Sequence, residues 1–172
     1  ELSDVHVSSS SAGSDGGAKL AWTGSEFGIV WENDAPATRF ARISTDGVVS
    51  TVTDSLTGTD ERDYSIAWSG SEFGLSFRRS PGQSMHFTRL GVTGAQLGSV
   101  VEISDPSLSP AANTVMWTGS EYSVGYIEFT MGSDVLHQVT LDVSGTQVGS
   151  PVVLATLPDP DDPAFVWTGS GY

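Results

Sequence analysis

The sequence predicts an all-β chain of stacked four-stranded antiparallel sheets, and three observations carry that reading. The hexad Trp22-Thr23-Gly24-Ser25-Glu26-Phe27 returns at Trp68, Trp117 and, with Gly171 in place of the Glu, at Trp167, at spacings of 46, 49 and 50 residues. Each copy holds short runs of β-forming residues divided by Gly-, Ser- and Asp-rich turns. Nothing in the chain carries the period of an amphipathic helix.

Within each copy the elements read in the same order. An apolar run ends in the Trp (Leu20-Ala21, Ile66-Ala67, Val115-Met116, Phe165-Val166) and suits a first strand buried on both faces. Thr/Ser-Gly-Ser-Glu then turns the chain, with Gly24, Gly70 and Gly119 free to adopt positive φ, and Gly169 holds the same place in the last copy of the motif. The second strand alternates: Phe27, Ile29 and Trp31 share one face, as do Phe73, Leu75 and Phe77, and Tyr122, Val124 and Tyr126. The other face is mostly small, with Gly28, Gly74, Ser76, Ser123 and Gly125, so bulky and slim faces of successive sheets can interlock. A third strand is expected over residues 38–43, 85–90 and 136–141, and a fourth over 48–52, 100–103 and 152–154. The Pro-, Ser- and Asp-rich stretches 54–63, 104–113 and 156–163 read as surface crossings between sheets.

Four strands in about 40–50 residues is the size of one β-propeller blade. The phase of the repeat divides the chain into a last strand and crossing (1–17), three blades (18–63, 64–112 and 113–163) and the first strand of a further blade (164–172). The expected architecture is thus a partial β-propeller of about three and a half blades, whose partners are further blades of the same polypeptide or another copy of the chain.

The Trp-[Thr/Ser]-Gly-x-x-[Phe/Tyr] motif, its alternating second strand and Arg42-Ile43-Ser44-Thr45-Asp46-Gly47 resemble a bacterial secreted and cell-surface β-propeller repeat family. The second copy departs mildly at Arg89 to Gly94, and the third puts Thr140 in place of the Arg. The resemblance covers nearly the whole chain. It implies a propeller fold and an extracellular or cell-surface location, and it leaves function open, because propellers host unrelated activities.

A net charge of −14 argues against binding nucleic acid or an anionic membrane. With no cysteine, disulfides and thiolate metal sites are excluded. No apolar run approaches the roughly 20 residues that span a bilayer. The four motif tryptophans read as packing residues before they read as a ligand platform. Glu26, Glu72 and Glu121 read as turn carboxylates accepting backbone N–H groups, and His86 and His137 as polar residues on a strand surface. Asp159, Asp161 and Asp162, with the Asp60-Glu61-Arg62-Asp63 run, are the Ca²⁺ candidates, though neither has the spacing of a Ca²⁺ loop; no other cofactor is implied. Neither a Gly-x-Ser-x-Gly elbow nor a phosphate-binding loop occurs. The expected function is non-enzymatic: an extracellular module for binding or scaffolding. The alternatives are a carbohydrate-binding propeller with one shallow site per blade, and a fragment of a propeller-type enzyme acting on glycosides.

Overall fold

A computed structural model describes residues 7, 15–33, 37–50, 52–56, 61–80, 83–108, 110–130, 133–158 and 166–171. The described residues are all-β, with twelve strands in three sheets. The first sheet contains β1 (Asp15–Trp22), β2 (Glu26–Asn33), β3 (Ala37–Ser44) and β4 (Thr53–Leu56). The second contains β5 (Glu61–Trp68), β6 (Phe73–Arg79), β7 (Ser84–Leu90) and β8 (Gln96–Glu102). β9 (Pro110–Trp117), β10 (Tyr122–Glu128), β11 (Asp134–Leu141) and β12 (Gln147–Leu157) form the third. Every sheet is an antiparallel meander with its strands in sequence order.

The repeated hexad makes one turn four times. The backbone N–H of Thr23 donates to the Glu26 carbonyl at 2.9 Å, and the same bond joins Ser69 to Glu72, Thr118 to Glu121 and Thr168 to Gly171. The hydroxyl of the first residue donates to that carbonyl too. Gly24, Gly70, Gly119 and Gly169 lie at φ of 103°, 102°, 105° and 97°, a region that other L-residues rarely enter.

The sheets stack face to face through the interlock that the alternation implies. A Cβ on Gly28 would stand 2.5 Å from the ring of Phe73 in the next sheet, and one on Gly74 would stand 2.5 Å from Tyr122. Around these contacts Val30 and Phe40 pack with Leu75, Phe77 and Leu90 in one core, and Met85 and Phe87 with Val124, Tyr126 and Leu141 in the next. Phe40 meets Phe73 edge-on at 5.2 Å, and Phe87 meets Tyr122 at 5.1 Å. Between sheets the closest approach is along the first strands, β1 beside β5 and β5 beside β9.

The strand ends differ from the sequence reading. First strands begin earlier, so residues 61–63 and 110–113 belong to β5 and β9 and not to crossings. The reason is a β-bulge at equivalent places, with Gly17, Asp63 and Ala112 at φ of 63°, 53° and 42°, which breaks the alternation that marks a strand. In the first sheet the described residues of 48–52 pair with β3 through the Ile43–Val49 bridge and the Arg42–Ser50 bonds and lie outside a strand, and β4 starts at Thr53. β8 and β12 start early, at Gln96 and Gln147, each followed by a glycine at φ of 74°. Leu20 is 54% exposed, so β1 is not buried on both faces. The strand expected near the N-terminus and the start of the last copy lie largely outside the described residues.

Candidate functional site

Three of the motif Trp residues pack on the aromatic residue at the start of the next strand: Trp22 on Phe27 at 4.7 Å, Trp68 on Phe73 at 4.6 Å, Trp117 on Tyr122 at 4.8 Å. Trp68 and Trp117 flank the cores between sheets, whereas Trp22 is 46% exposed. These three lie in separate sheets and form no common platform.

The turn carboxylates take a partner that the motif does not reveal. Hydroxyls of Thr23, Ser69 and Thr118 cap the turn instead, accepting the N–H of Glu26, Glu72 and Glu121. Glu26 pairs across the strands with Arg42 at 2.6 Å, and Glu72 with Arg89 at 2.9 Å. The next sheet closes over both arginines. Arg42 donates to the Val92 carbonyl at 3.3 Å, and a Cβ on Gly145 would lie 3.2 Å from Arg89 Nε. Tyr122 also donates to Glu72, at 3.3 Å. The pairs therefore serve the stacking and do not line an open ring.

His86 and His137 do not form a joint site. Each stacks on the aromatic residue opposite it, His86 on Phe77 at 5.7 Å and His137 on Tyr126 at 5.1 Å. His86 is buried, which corrects the expectation of a surface residue, and burial lowers its pKa against the opposing effect of its bond to the Ser84 carbonyl. His137 meets Glu128 at 2.7 Å. Burial also raises Tyr122 and Tyr126 to about 12.

The acidic candidates part company. Asp159, Asp161, Asp162 and Asp60 lie outside the described residues. Glu61 is buried between the first two sheets, where it accepts from Thr38 at 2.9 Å and pairs with Arg79 at 2.9 Å. The Thr38 hydroxyl lies 2.8 Å from that of Tyr64, which donates to the Glu61 carbonyl at 2.9 Å. Asp63 meets Arg78 at 2.8 Å. Among the described residues no group of three or more His, Asp or Glu side chains is placed to hold a metal.

The feature with the makings of a binding site is an open depression where the first strands converge. Its floor and walls include Lys19, Asp63, Tyr64, Arg78, Asn113 and Phe129. The bulges shape it, since Asp63 and Ala112 are bulge residues and both line it. Asn113 locks the second and third sheets together here, donating to the Asp63 carbonyl and accepting from Ser76. Arg78 is steadied by Gln83 at 2.7 Å as well as by Asp63. A guanidinium, a carboxylate, a primary amide and a half-exposed Phe129 thus face one hollow. This set donates and accepts hydrogen bonds and offers an apolar surface.

Several residues of this hollow lie at positions where the copies disagree. Ala18, Tyr64 and Asn113 are equivalent, as are Gly17, Asp63 and Ala112, and Glu32, Arg78 and Ile127. Sequence reasoning passed over Arg78 and Asn113 because the motif draws attention to what recurs. The signal was the reverse, positions where near-identical copies differ in polarity. No known protein-family profile matches the chain, and no curated protein matches it.

Proposed function

We propose that the chain is a non-enzymatic, extracellular β-propeller repeat module for binding or scaffolding, whose ligand contact is the depression at the converging first strands. The observation that carries this reading is the division of labour in the repeat. Positions that recur (Trp, turn Gly, the small residue of the second strand, the turn carboxylate) are spent on turns and stacking, while Asp63, Arg78 and Asn113, polar residues that the other copies do not repeat, meet in one place. Three meander sheets joined in sequence and closest at their first strands are consistent with successive blades around an axis. The groups of the hollow are held by hydrogen-bonding and ionic partners: Asp63 by Arg78, Tyr64 by Glu61 and Thr38, Asn113 by Ser76. Such a set presents a fixed hydrogen-bonding pattern to a ligand and leaves no poised acid–base pair.

A carbohydrate ligand is favoured by one feature, the exposed Phe129 beside the amide of Asn113 and the guanidinium of Arg78, which suits a hydroxyl-rich ring with one apolar face. Because the hollow is built from non-equivalent residues, it supplies one site and not one per blade. A glycan array probed with the intact chain tests this reading. Binding that falls at least tenfold in Arg78→Ala and Phe129→Ala supports it. An array without binders removes the carbohydrate reading, and glycoside hydrolysis that disappears in Asp63→Asn overturns the non-enzymatic one.

A further inference from the structure

The outward face of the first sheet repeats a buried surface. Leu20, Trp22 and Phe27 are 54%, 46% and 38% exposed, and they stand where the second sheet has Ile66, Trp68 and Phe73 and the third has Val115, Trp117 and Tyr122. In those two sheets the same positions pack into the cores between sheets, with Phe73 and Tyr122 fully buried. What covers them is the same each time: a sheet with glycine at the contact (Gly28, Gly74), an aromatic beside it (Phe40, Phe87) and an arginine two residues on (Arg42, Arg89).

From this we infer that the face around Phe27 docks a further sheet of the same repeat, carried ahead of β1 in the same polypeptide, with glycine at the place of Gly28 and Gly74. The polypeptide before β1 already reaches this side, since Val7 packs against the cluster of Ile29, Trp31 and Ala41. A second copy offering its third sheet does not fit. There the glycine is replaced by Ser123, the aromatic by Gln138 and the arginine by Thr140. Gln138 ties the three together, donating to Ser123 at 3.0 Å and to Thr140 at 2.9 Å. A ring that seats 2.5 Å from where a Cβ would stand on Gly28 or Gly74 collides with the real Cβ of Ser123. The forward faces that do carry glycine, on the first and second sheets, are already occupied. The inference rests on the stacking of the three sheets and not on closure of a ring, so its failure would leave ligand binding at the depression standing.

The test is the full chain with a copy of residues 61–109 inserted between residues 14 and 15, so that a second-type sheet precedes β1. The expected result is protection of Trp22 from acrylamide, assigned by difference from Trp22→Phe, a blue-shifted emission, and an unfolding midpoint raised by about 5 °C. Gly74→Ser within the inserted copy cancels the protection. The unextended chain is expected to weigh 18.0 kDa by light scattering, unchanged by Phe27→Glu. Three results overturn the inference: Trp22 still accessible in the extended chain; an extended chain that fails to fold when the unextended one folds, since a complementary sheet must add stability; or an unextended chain of doubled mass that Phe27→Glu restores to single.

Discussion

Replacing Gly28 with Ala separates the two reasons why glycine recurs in this chain. Gly28 does not lie at positive φ, so the backbone accepts Ala, and fewer unfolded conformations favour the change by about 0.4–1 kcal/mol. Against this, the added Cβ meets Phe73 Cε1 and Cζ at 2.5 Å each, about 1 Å inside van der Waals contact. The ring has nowhere to go, because Phe40 and Trp68 hold it at 5.2 and 4.6 Å and it is fully buried. Overpacking of this kind costs about 1–3 kcal/mol, and the rigidity of the cluster places it toward the upper end. The expected net loss is about 2 kcal/mol, read as a lower urea midpoint at unchanged slope by tryptophan fluorescence. Gly24→Ala makes the control: its Cβ would meet nothing within 4 Å, and its cost comes only from φ of 103°. In a double-mutant cycle, Phe73→Leu should recover at least about 1 kcal/mol of the Gly28→Ala loss and none of the Gly24→Ala loss. If Gly28→Ala leaves the midpoint unmoved, or if both alanines couple equally to Phe73, the interlock is wrong.

Other expectations follow from single sites. Thr88 is buried with no hydrogen-bond partner for its hydroxyl, and Ala41 and Val139 stand at the equivalent positions, so Thr88→Val should stabilise the chain by about 1 kcal/mol in urea unfolding. Ala112 holds φ of 42° in its bulge, and Ala112→Gly should gain about 1 kcal/mol, while the same exchange at Ala111 should lose stability. Thr140→Arg restores to the third sheet the partner that Glu26 and Glu72 have, and a gain of about 0.5 kcal/mol that 1 M salt removes is expected. His86 has a folded pKa below its ordinary 6.5, so the unfolded chain binds the proton more readily; stability is full above pH 6.5, falls as pH drops through 6.5 and levels off below the folded value. Thermal midpoints of the native chain and His86→Gln between pH 7.5 and 5 should diverge in that sense, and parallel curves would remove His86 from the account.

Much of the fold was legible because the chain states it several times. The hexad disclosed the turn, and the alternation of Phe73, Leu75 and Phe77 with Gly74 and Ser76 disclosed the stacking faces down to the glycine that receives the next ring. What stayed hidden were features with no periodic signature. The bulges at Asp63 and Ala112 interrupt the alternation, so the beginnings of β5 and β9 read as crossings. The Glu72–Arg89 pair joins residues 17 apart through a cross-strand register, which no count along the chain reveals. His86 is buried against Phe77 on the strand opposite, a cross-strand neighbour that local sequence does not encode.

The same contrast bears on where function sits. A substitution at a stacking position is felt at once, because Gly28 or Gly74 has a ring against it and its replacement costs more than the loop residues around it. First-strand bulge positions are different: Asp63 and Ala112 line the hollow, and the three copies hold Gly17, Asp63 and Ala112 at this place without altering the turn or the stack. The repeat therefore tolerates chemical change at the convergence of its first strands and resists it on the two sheet faces, around Gly28 and Gly74, that a next sheet occupies. On this argument Arg78→Ala should abolish ligand capture while shifting the unfolding midpoint by no more than about 2 °C, since its ion pair with Asp63 is partly exposed and worth under about 1 kcal/mol. A large loss of stability in Arg78→Ala would instead mean that the hollow is one more part of the scaffold.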